Sequence, residues 1–243
     1  MYSLFLKEVK TYLSSLLGYI FITVFLVVAG LFLWVFPNVN NILFSGLADL
    51  QGLFNISKFL LLFLVPAITM RSFAEEKRVG TIELLFTKPL SDAQIITAKF
   101  LSALTLLAIA FLPTLIYIIS VYNLGQTPGN IDMGSTWGSY LGLLFLGSAF
   151  ISIGIFASSL TNNQIIAFII AAPLCFIFHF GFEFIYSFEA LGAFGYFVKT
   201  LGIDHHYISI SKGVIDSRDI IYFLSVIFVF LFATRIVLIS RKW

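Results

Sequence analysis

The amino-acid sequence predicts an all-α membrane protein with six transmembrane helices, an N-terminal interfacial amphipathic helix and a short helix in a cytoplasmic loop. Three observations predict this class. Apolar residues make up 60% of the 243 residues and charged residues only 11%, against roughly 45–50% and about 25% in soluble domains. Six apolar runs hold about half of the chain, each near the roughly 20 residues with which a helix crosses the hydrocarbon core of a bilayer. The runs also lack the alternation of membrane β-strands.

The six apolar runs account for the domain organisation. No segment between them exceeds roughly 35 residues, which is shorter than the roughly 50 residues of the smallest ordinary domains. We therefore predict one transmembrane domain over residues 1–243. The runs lie at about 16–36, 53–70, 100–122, 140–160, 165–186 and 220–240.

A short amphipathic pattern precedes the first run. Residues 2–16 repeat apolar side chains at helical spacing, while Lys7 and Lys10 share the opposite face with two serines. A helix of this kind lies in the membrane interface, with its lysines toward anionic headgroups. We therefore predict an interfacial helix before the first span. A frayed terminus is the alternative.

The lysine and arginine residues predict the orientation of the chain. In a six-span arrangement, ten of them fall in segments on one side and four on the other, and cytoplasmic segments carry the excess of positive charge. Trp34, Tyr122 and Trp137 fall near the opposite ends of the spans, as interfacial aromatic residues do. Both termini are therefore predicted to be cytoplasmic. The net charge of +2 is too small to indicate a nucleic-acid partner.

The inner loop between the second and third runs is strongly polar and has clear boundaries. Gly80 breaks the preceding helix, Thr81 can cap a new one, and Pro89 stops that helix after about two turns. The apolar residues of this helix exceed what an exposed loop needs, so we expect it to contact a partner or the membrane interface. These residues are Ile82, Leu84, Leu85 and Phe86, and the charged residues around them are Glu76, Lys77, Arg78, Glu83 and Lys88.

The third span is predicted to begin in water. Ser91 and Gln94 have the spacing of a capping box, and Asp92 suits the N-terminus of a helix. Lys99 follows about two turns later. It is predicted to mark the boundary between the helix and the lipid.

One face of the fifth run carries polar side chains inside the predicted membrane region. Cys175, His179 and Glu183 stand at i, i+4 and i+8 of that run. Thiol, imidazole and carboxylate groups are competent metal ligands or proton carriers, which makes this face a candidate intramembrane site. The alternative is a packed cysteine, with His179 and Glu183 paired where the span meets water.

Two further features concern packing. Gly147, Gly154 and Ser158 lie on nearly one stripe of the fourth run, and small residues permit close helix contact. The stripe predicts a packing seam, for which a second subunit is one candidate partner. The outer segment 187–219 is too long for a turn and is predicted to hold a short re-entrant or interfacial helix that closes the outer mouth. A loop resting on the membrane is the alternative.

Several motifs of the chain resemble those of a known family. The sequences EEKR at 75–78, GTIELL at 80–85 and TKPLS at 87–91 resemble the cytoplasmic loop of permeases in the type 2 ABC-exporter class. These permeases have six spans, an interfacial N-terminal helix and a coupling helix in this loop. Within that class, GNIDMGS at 129–135 and GVID at 213–216 resemble the permease subunits of gliding-motility ABC transporters.

The resemblance implies a multi-pass permease subunit of the bacterial inner membrane. It implies an ABC ATPase as a partner and a second permease subunit, identical or related. ATP and magnesium would be bound by the ATPase, so this chain is expected to be no enzyme and to hold no catalytic, cofactor or metal residue. In agreement, no stretch reads Gly-x-x-x-x-Gly-Lys followed by Ser or Thr. The residues implied to couple to the ATPase are Glu75, Glu76, Arg78, Gly80, Thr81, Ile82, Glu83, Leu84, Leu85, Thr87 and Pro89.

Three functional hypotheses follow from the sequence. The first is a permease that turns ATP hydrolysis by a partner into conformational change or export, linked to gliding motility. The second is a membrane scaffold that anchors a motility or envelope machine and transports nothing. The third is an intramembrane enzyme that uses Cys175, His179 and Glu183.

Overall fold

The computed structural model describes residues 1–83, 89–127, 129–187 and 192–240. Within these ranges the chain forms helices and no strand, and six segments are long and apolar enough to cross a membrane. The predicted all-α class with six spans is therefore confirmed. The spans, numbered in chain order, are Leu16–Val35, Gln51–Val79, Asp92–Leu124, Met133–Leu160, Gln164–Tyr186 and Ser217–Ser240.

Four of the spans combine more than one helical segment. Pro113 lies in a 3₁₀ turn of span 3, and Pro173 lies one turn before a π-helical turn of span 5. A proline removes one backbone N–H and crowds the preceding turn, which favours such irregular turns. The segments are Leu16–Gly30 and Leu31–Val35 in span 1, Gln51–Thr69 and Arg71–Val79 in span 2, Asp92–Phe111, Leu112–Leu115 and Ile116–Leu124 in span 3, and Gln164–Phe176, Ile177–Gly181 and Phe182–Tyr186 in span 5.

The described ranges also hold helices outside the spans. Tyr2–Ser14 is the amphipathic helix, and Ile203–Ser211 is named here the outer helix; the others are Ile42–Ser45 and Gly192–Lys199. The amphipathic helix packs against the start of span 3, and the outer helix packs against the start of span 4. The end of the bundle that carries the amphipathic helix is called the inner end, and the opposite end the outer end.

The amphipathic helix turns sharply into span 1. Ser15 breaks the helix with extended backbone (φ −90°, ψ 146°), and its hydroxyl accepts the N–H of Gly18 at 3.1 Å. A Cβ atom at position 18 would lie 2.0 Å from the carbonyl oxygen of Tyr12. Glycine is therefore required for this corner, because only glycine allows the two backbones to approach so closely.

Span 4 is the centre of the bundle. It is buried along most of its length and contacts spans 2, 3, 5 and 6. A Cβ atom at Gly147 would lie 2.3 Å from a methyl group of Leu107 in span 3, and one at Gly154 would lie 1.9 Å from the hydroxyl of Thr69 in span 2. The predicted seam of small residues therefore packs inside this subunit, and a second subunit as its partner is wrong. Because glycine has no side chain, spans 2 and 3 can approach the backbone of span 4 closely at these two positions.

We expect Gly154→Ala to destabilise the protein by roughly 1–3 kcal/mol, because the added methyl group must push Thr69 and span 2 away from span 4. The measurement is thermal unfolding of the purified chain in detergent. Gly30→Ala is the matched control, since the nearest atom to its added methyl group is the tip of the Tyr117 side chain at 3.3 Å. Equal unfolding temperatures for the two variants would contradict this view of the seam.

Candidate functional site

The inner loop between spans 2 and 3 begins at the helix end that the sequence predicted. Span 2 ends at Val79, and Gly80 takes the left-handed conformation (φ 76°) that glycine favours. Its N–H donates to the carbonyl of Lys77 at 3.3 Å. The hydroxyl of Thr81 donates to the carbonyl of Glu76 at 3.5 Å. Ile82 and Glu83 directly after it are helical, so Thr81 stands at the position where the sequence predicted the cap of a new helix.

Most of the residues predicted to couple to an ATPase lie at this end of the molecule. Ile82 is half-buried against the core, whereas Glu83 and Pro89 are exposed. Glu75, Glu76 and Arg78 belong to the last two turns of span 2, and Gly80 and Thr81 follow them. Leu84, Leu85 and Thr87 lie outside the described residues, as does most of the predicted two-turn helix. The coupling helix therefore stays a prediction.

Span 3 begins as the sequence predicted, in a capping box. The N–H of Gln94 donates to the hydroxyl of Ser91 at 3.3 Å, and the N–H of Ser91 donates to the side-chain oxygen of Gln94 at 3.0 Å. The helix starts at Asp92. This reciprocal pair fixes the direction in which the loop enters span 3.

Lys99, which the sequence predicted to mark the lipid boundary, forms a buried ion cluster. Its side chain is only 2% exposed, and Nζ lies 3.2 Å from Glu8 of the amphipathic helix and 2.8 Å from Glu76 of span 2. The ammonium group also lies 5.3 Å from the centre of the Phe73 ring. Two carboxylates from distant segments compensate the charge of Lys99 inside the protein, and its position at the lipid boundary stays a prediction.

The sequence contains a signal for this cluster. Glu8 follows Leu4 by one helical turn, and both are buried on the same side of the amphipathic helix. Lys99 stands about two turns inside a helix whose N-terminus is already fixed at Ser91. A glutamate on an otherwise apolar face and a lysine deep in a span are complementary charges in need of partners.

Glu75 joins the end of span 2 to the start of span 5. It forms ion pairs with Arg71 at 3.4 Å and Arg78 at 2.7 Å, and it accepts a hydrogen bond from the side-chain amide of Gln164. Lys77 donates to the backbone carbonyl of Ser159 at the end of span 4. These contacts connect the base of the inner loop to the end of span 4 and the start of span 5.

Ser158 stabilises the junction between the two helical segments of span 2. Its hydroxyl oxygen accepts the backbone N–H groups of Phe73 and Ala74, both at 3.0 Å, and donates to the carbonyl of Met70 at 2.9 Å. These backbone groups lie where one helical segment ends at Thr69 and the next begins at Arg71. One side chain of span 4 thus satisfies the backbone groups of the junction.

A second polar cluster lies at the outer end. Lys58 of span 2 pairs with Asp204 of the outer helix at 3.1 Å, and His179 of span 5 has Nε2 at 3.7 Å from the same carboxylate. The ammonium of Lys58 lies 5.0 Å from the centre of the Tyr207 ring. Burial raises the pKa of the Tyr207 phenol, so this side chain stays neutral. From the sequence, Lys58 was predicted only as a basic residue on the outer side. Its ion pair with Asp204 was not predicted.

The outer helix has further contacts. Ser135 at the start of span 4 donates from its hydroxyl to the carbonyl of Ser211 at 2.8 Å. The imidazole of His206 lies 2.7 Å from Asp219 of span 6 and 2.8 Å from the carbonyl of Thr200. The outer helix is thus fixed to spans 2, 4 and 6. The sequence predicted a short helix in this segment, and its closing role stays a prediction.

The predicted face of Cys175, His179 and Glu183 does not form one site. Cys175 and His179 are fully buried, whereas Glu183 is exposed. The physical reason is the π-helical turn at Ile177–Gly181, which changes the register between the second and third residue. His179 faces Asp204 and does not pair with Glu183. Within the part of the chain that the structure describes, no group of three or more potential ligands could hold a metal ion.

Comparison with known protein families identifies a family to which most of the chain is similar. A family model described as "ABC-2 family transporter protein" matches residues 2–194, which is 193 of the 243 residues. No curated protein matches the chain. The matched range includes the amphipathic helix, the first five spans and the whole inner loop.

Proposed function

The chain belongs to the ABC-2 family of transporter proteins, and from this premise we propose that its inner loop couples ATP hydrolysis by a separate ATPase subunit to rearrangement of the spans. Membership makes the chain a multi-pass membrane component of an ABC transporter and implies an ATPase partner. ATP and magnesium would then be bound by that partner. The coupling itself is the proposal.

The attachment of the loop base is the observation that carries this proposal. Glu76 is tied to span 3 and to the amphipathic helix through Lys99, and Glu75 is tied to span 5 through Gln164. Ser158 ties the same segment to span 4. A partner that displaces the loop would therefore move several spans together, as a stiff connection between two conformations requires.

The proposed orientation places the inner end in the cytoplasm of a bacterial inner membrane, with both termini on that side. Ten of the fourteen lysines and arginines lie in the segments of this end by the six-span count, as the positive-inside rule predicts for cytoplasmic segments. An ATPase can reach the loop only on the side where ATP is present. A second permease subunit, identical or related, completes the proposed assembly.

The proposed link to gliding motility rests on the resemblance of two stretches, 129–135 and 213–216, which contact each other in the structure. Gly213 has a positive φ of 83°, and a Cβ atom there would lie 2.7 Å from the backbone of Gly134. Asp132 accepts the N–H of Ser135 at 3.0 Å and begins span 4. The stretches 129–135 and 213–216 therefore belong to one packed unit at the outer end.

We expect Glu83→Arg to reduce co-purification of the ATPase with this chain about tenfold or more, while membrane insertion and expression stay unchanged. Glu83 is exposed beside the half-buried Ile82, so charge reversal affects a contact surface rather than the core. Loss of one charge-assisted contact together with new repulsion weakens the binding free energy by at least about 1.4 kcal/mol, which corresponds to a tenfold change in affinity. The measurement is affinity purification from native membranes, with quantification of the ATPase.

The matched control for this experiment is Glu183→Arg, which reverses an exposed glutamate near the far end of span 5. Equal recovery of the ATPase with both variants would refute the assigned contact. A label on the outer helix distinguishes transport from scaffolding. Movement of this helix on addition of nucleotide to the purified complex supports a permease. An immobile outer helix favours the non-transporting scaffold.

A further inference from the structure

A cavity of about 210 Å³ lies at the inner end, between the amphipathic helix, span 2 and Lys99 of span 3. One water molecule occupies about 30 Å³, so the cavity has room for a polar group of several heavy atoms. Its position next to the corner at Ser15, where the amphipathic helix passes into span 1, is the depth at which lipid headgroups lie.

The lining of the cavity changes in character along span 2. The apolar lining residues are Ile68 of span 2 and Leu17 of span 1. Arg71 follows about 4.5 Å nearer the inner end, and Glu76 follows about 7.5 Å beyond Arg71, at 1.5 Å of rise per residue. The order from the membrane core outward is therefore apolar, cationic and then anionic. A zwitterionic phospholipid has the same order of acyl chain, phosphate and ammonium.

The charges of the lining are balanced, which argues against a simple anion site. Lys7, Arg71 and Lys99 face three carboxylates, those of Glu8, Glu75 and Glu76. Lys99 alone opposes both Glu8 and Glu76, so the carboxylates of this ion cluster exceed the ammonium by one charge. In addition, Oε2 of Glu76 accepts no hydrogen bond from any described residue. An added ammonium group would compensate this excess.

The cationic side of the cavity can receive a phosphate group. Arg71 contacts Glu75 through Nε at 3.4 Å, so its terminal nitrogens can donate to phosphate oxygens. Lys7 is exposed at the edge of the cavity. Burial raises the pKa of the nearby Tyr12 phenol, which therefore stays a neutral hydrogen-bonding group on the same lining.

We propose that this cavity binds the headgroup of an inner-leaflet phospholipid that carries a primary ammonium beside its phosphate. The phosphate contacts Arg71 and Lys7, and the ammonium is oriented toward Glu8 and Glu76. A trimethylated ammonium lacks the N–H donors that these carboxylates accept, and a headgroup without an amine leaves their excess charge uncompensated. The leaflet follows from the proposed orientation, whereas the headgroup chemistry does not depend on the ATPase.

The test is native mass spectrometry of the full purified chain, titrated with phosphatidylethanolamine, phosphatidylcholine and phosphatidylglycerol that have the same acyl chains. We expect phosphatidylethanolamine to bind at least about tenfold more tightly than the other two, as the loss of one charge-assisted hydrogen bond predicts. Arg71→Gln and Lys7→Gln should each weaken that binding. Lys10→Gln is the matched control, because Lys10 is on the same helix but does not line the cavity.

Three outcomes would overturn the proposal. Equal binding of the three lipids removes the headgroup selectivity, and preference for phosphatidylglycerol makes the cavity an anion site. Binding of chain-free glycerophosphoethanolamine as tight as that of the lipid would show a soluble ligand instead. Since no arm of the experiment contains an ATPase, failure here leaves the proposed coupling function untouched.

Discussion

Replacing Lys99 by methionine is expected to lower the free energy of unfolding by about 3–5 kcal/mol, the cost of breaking a buried ion pair by removing one partner. The variant leaves Glu8 and Glu76 facing each other without the ammonium that separates them. It also removes the ion pairs that join the amphipathic helix and the base of the inner loop to span 3. The measurement is the unfolding temperature of the purified chain in detergent, together with the amount recovered from membranes.

A triple variant separates the effect of charge from that of packing. Lys99→Met combined with Glu8→Gln and Glu76→Gln removes the whole cluster and leaves no uncompensated charge. We expect it to recover most of the lost stability, because buried ion clusters can be replaced by neutral groups at little cost. If the triple variant is as unstable as Lys99→Met alone, the ion cluster is not the source of the effect.

Asp204→Leu is expected to release the outer helix from the bundle. The substitution leaves Lys58 and His179 without the carboxylate that lies between them. We expect the free energy of unfolding to fall by about 3 kcal/mol. The loss should be concentrated at the outer end, since the inner end has its own contacts. Hydrogen exchange of the backbone amides in residues 203–211 is the measurement, and faster exchange there than in span 4 is the expected result.

The matched control is the double variant Lys58→Met with Asp204→Leu, which removes both charges. We expect slower exchange in the outer helix than in Asp204→Leu, although His206 still connects this helix to span 6 in both variants. Unchanged exchange in Asp204→Leu would show that the contacts of the outer helix with spans 4 and 6 are sufficient to hold it.

The six spans and some of their boundaries could be predicted because their causes are local. The capping box of Ser91 and Gln94 and the left-handed Gly80 are set by neighbouring residues. The partners of Lys99 and Lys58 could not be predicted in the same way. Glu8 lies 91 residues from Lys99, and Asp204 lies 146 residues from Lys58. A charge inside a span signals that a partner exists but does not say which one.

The sequence by itself determined that this chain has six spans and approximately where they lie, although span 2 continues from the predicted end at residue 70 to Val79 and span 4 begins at Met133 instead of residue 140. The physical reason is that a backbone in lipid must satisfy its own hydrogen bonds, and a helix does so with residues close in the chain. Only the tertiary structure decided that span 4 is the centre and that Lys99 is buried. Those facts depend on packing and charge compensation between segments that are distant in the sequence.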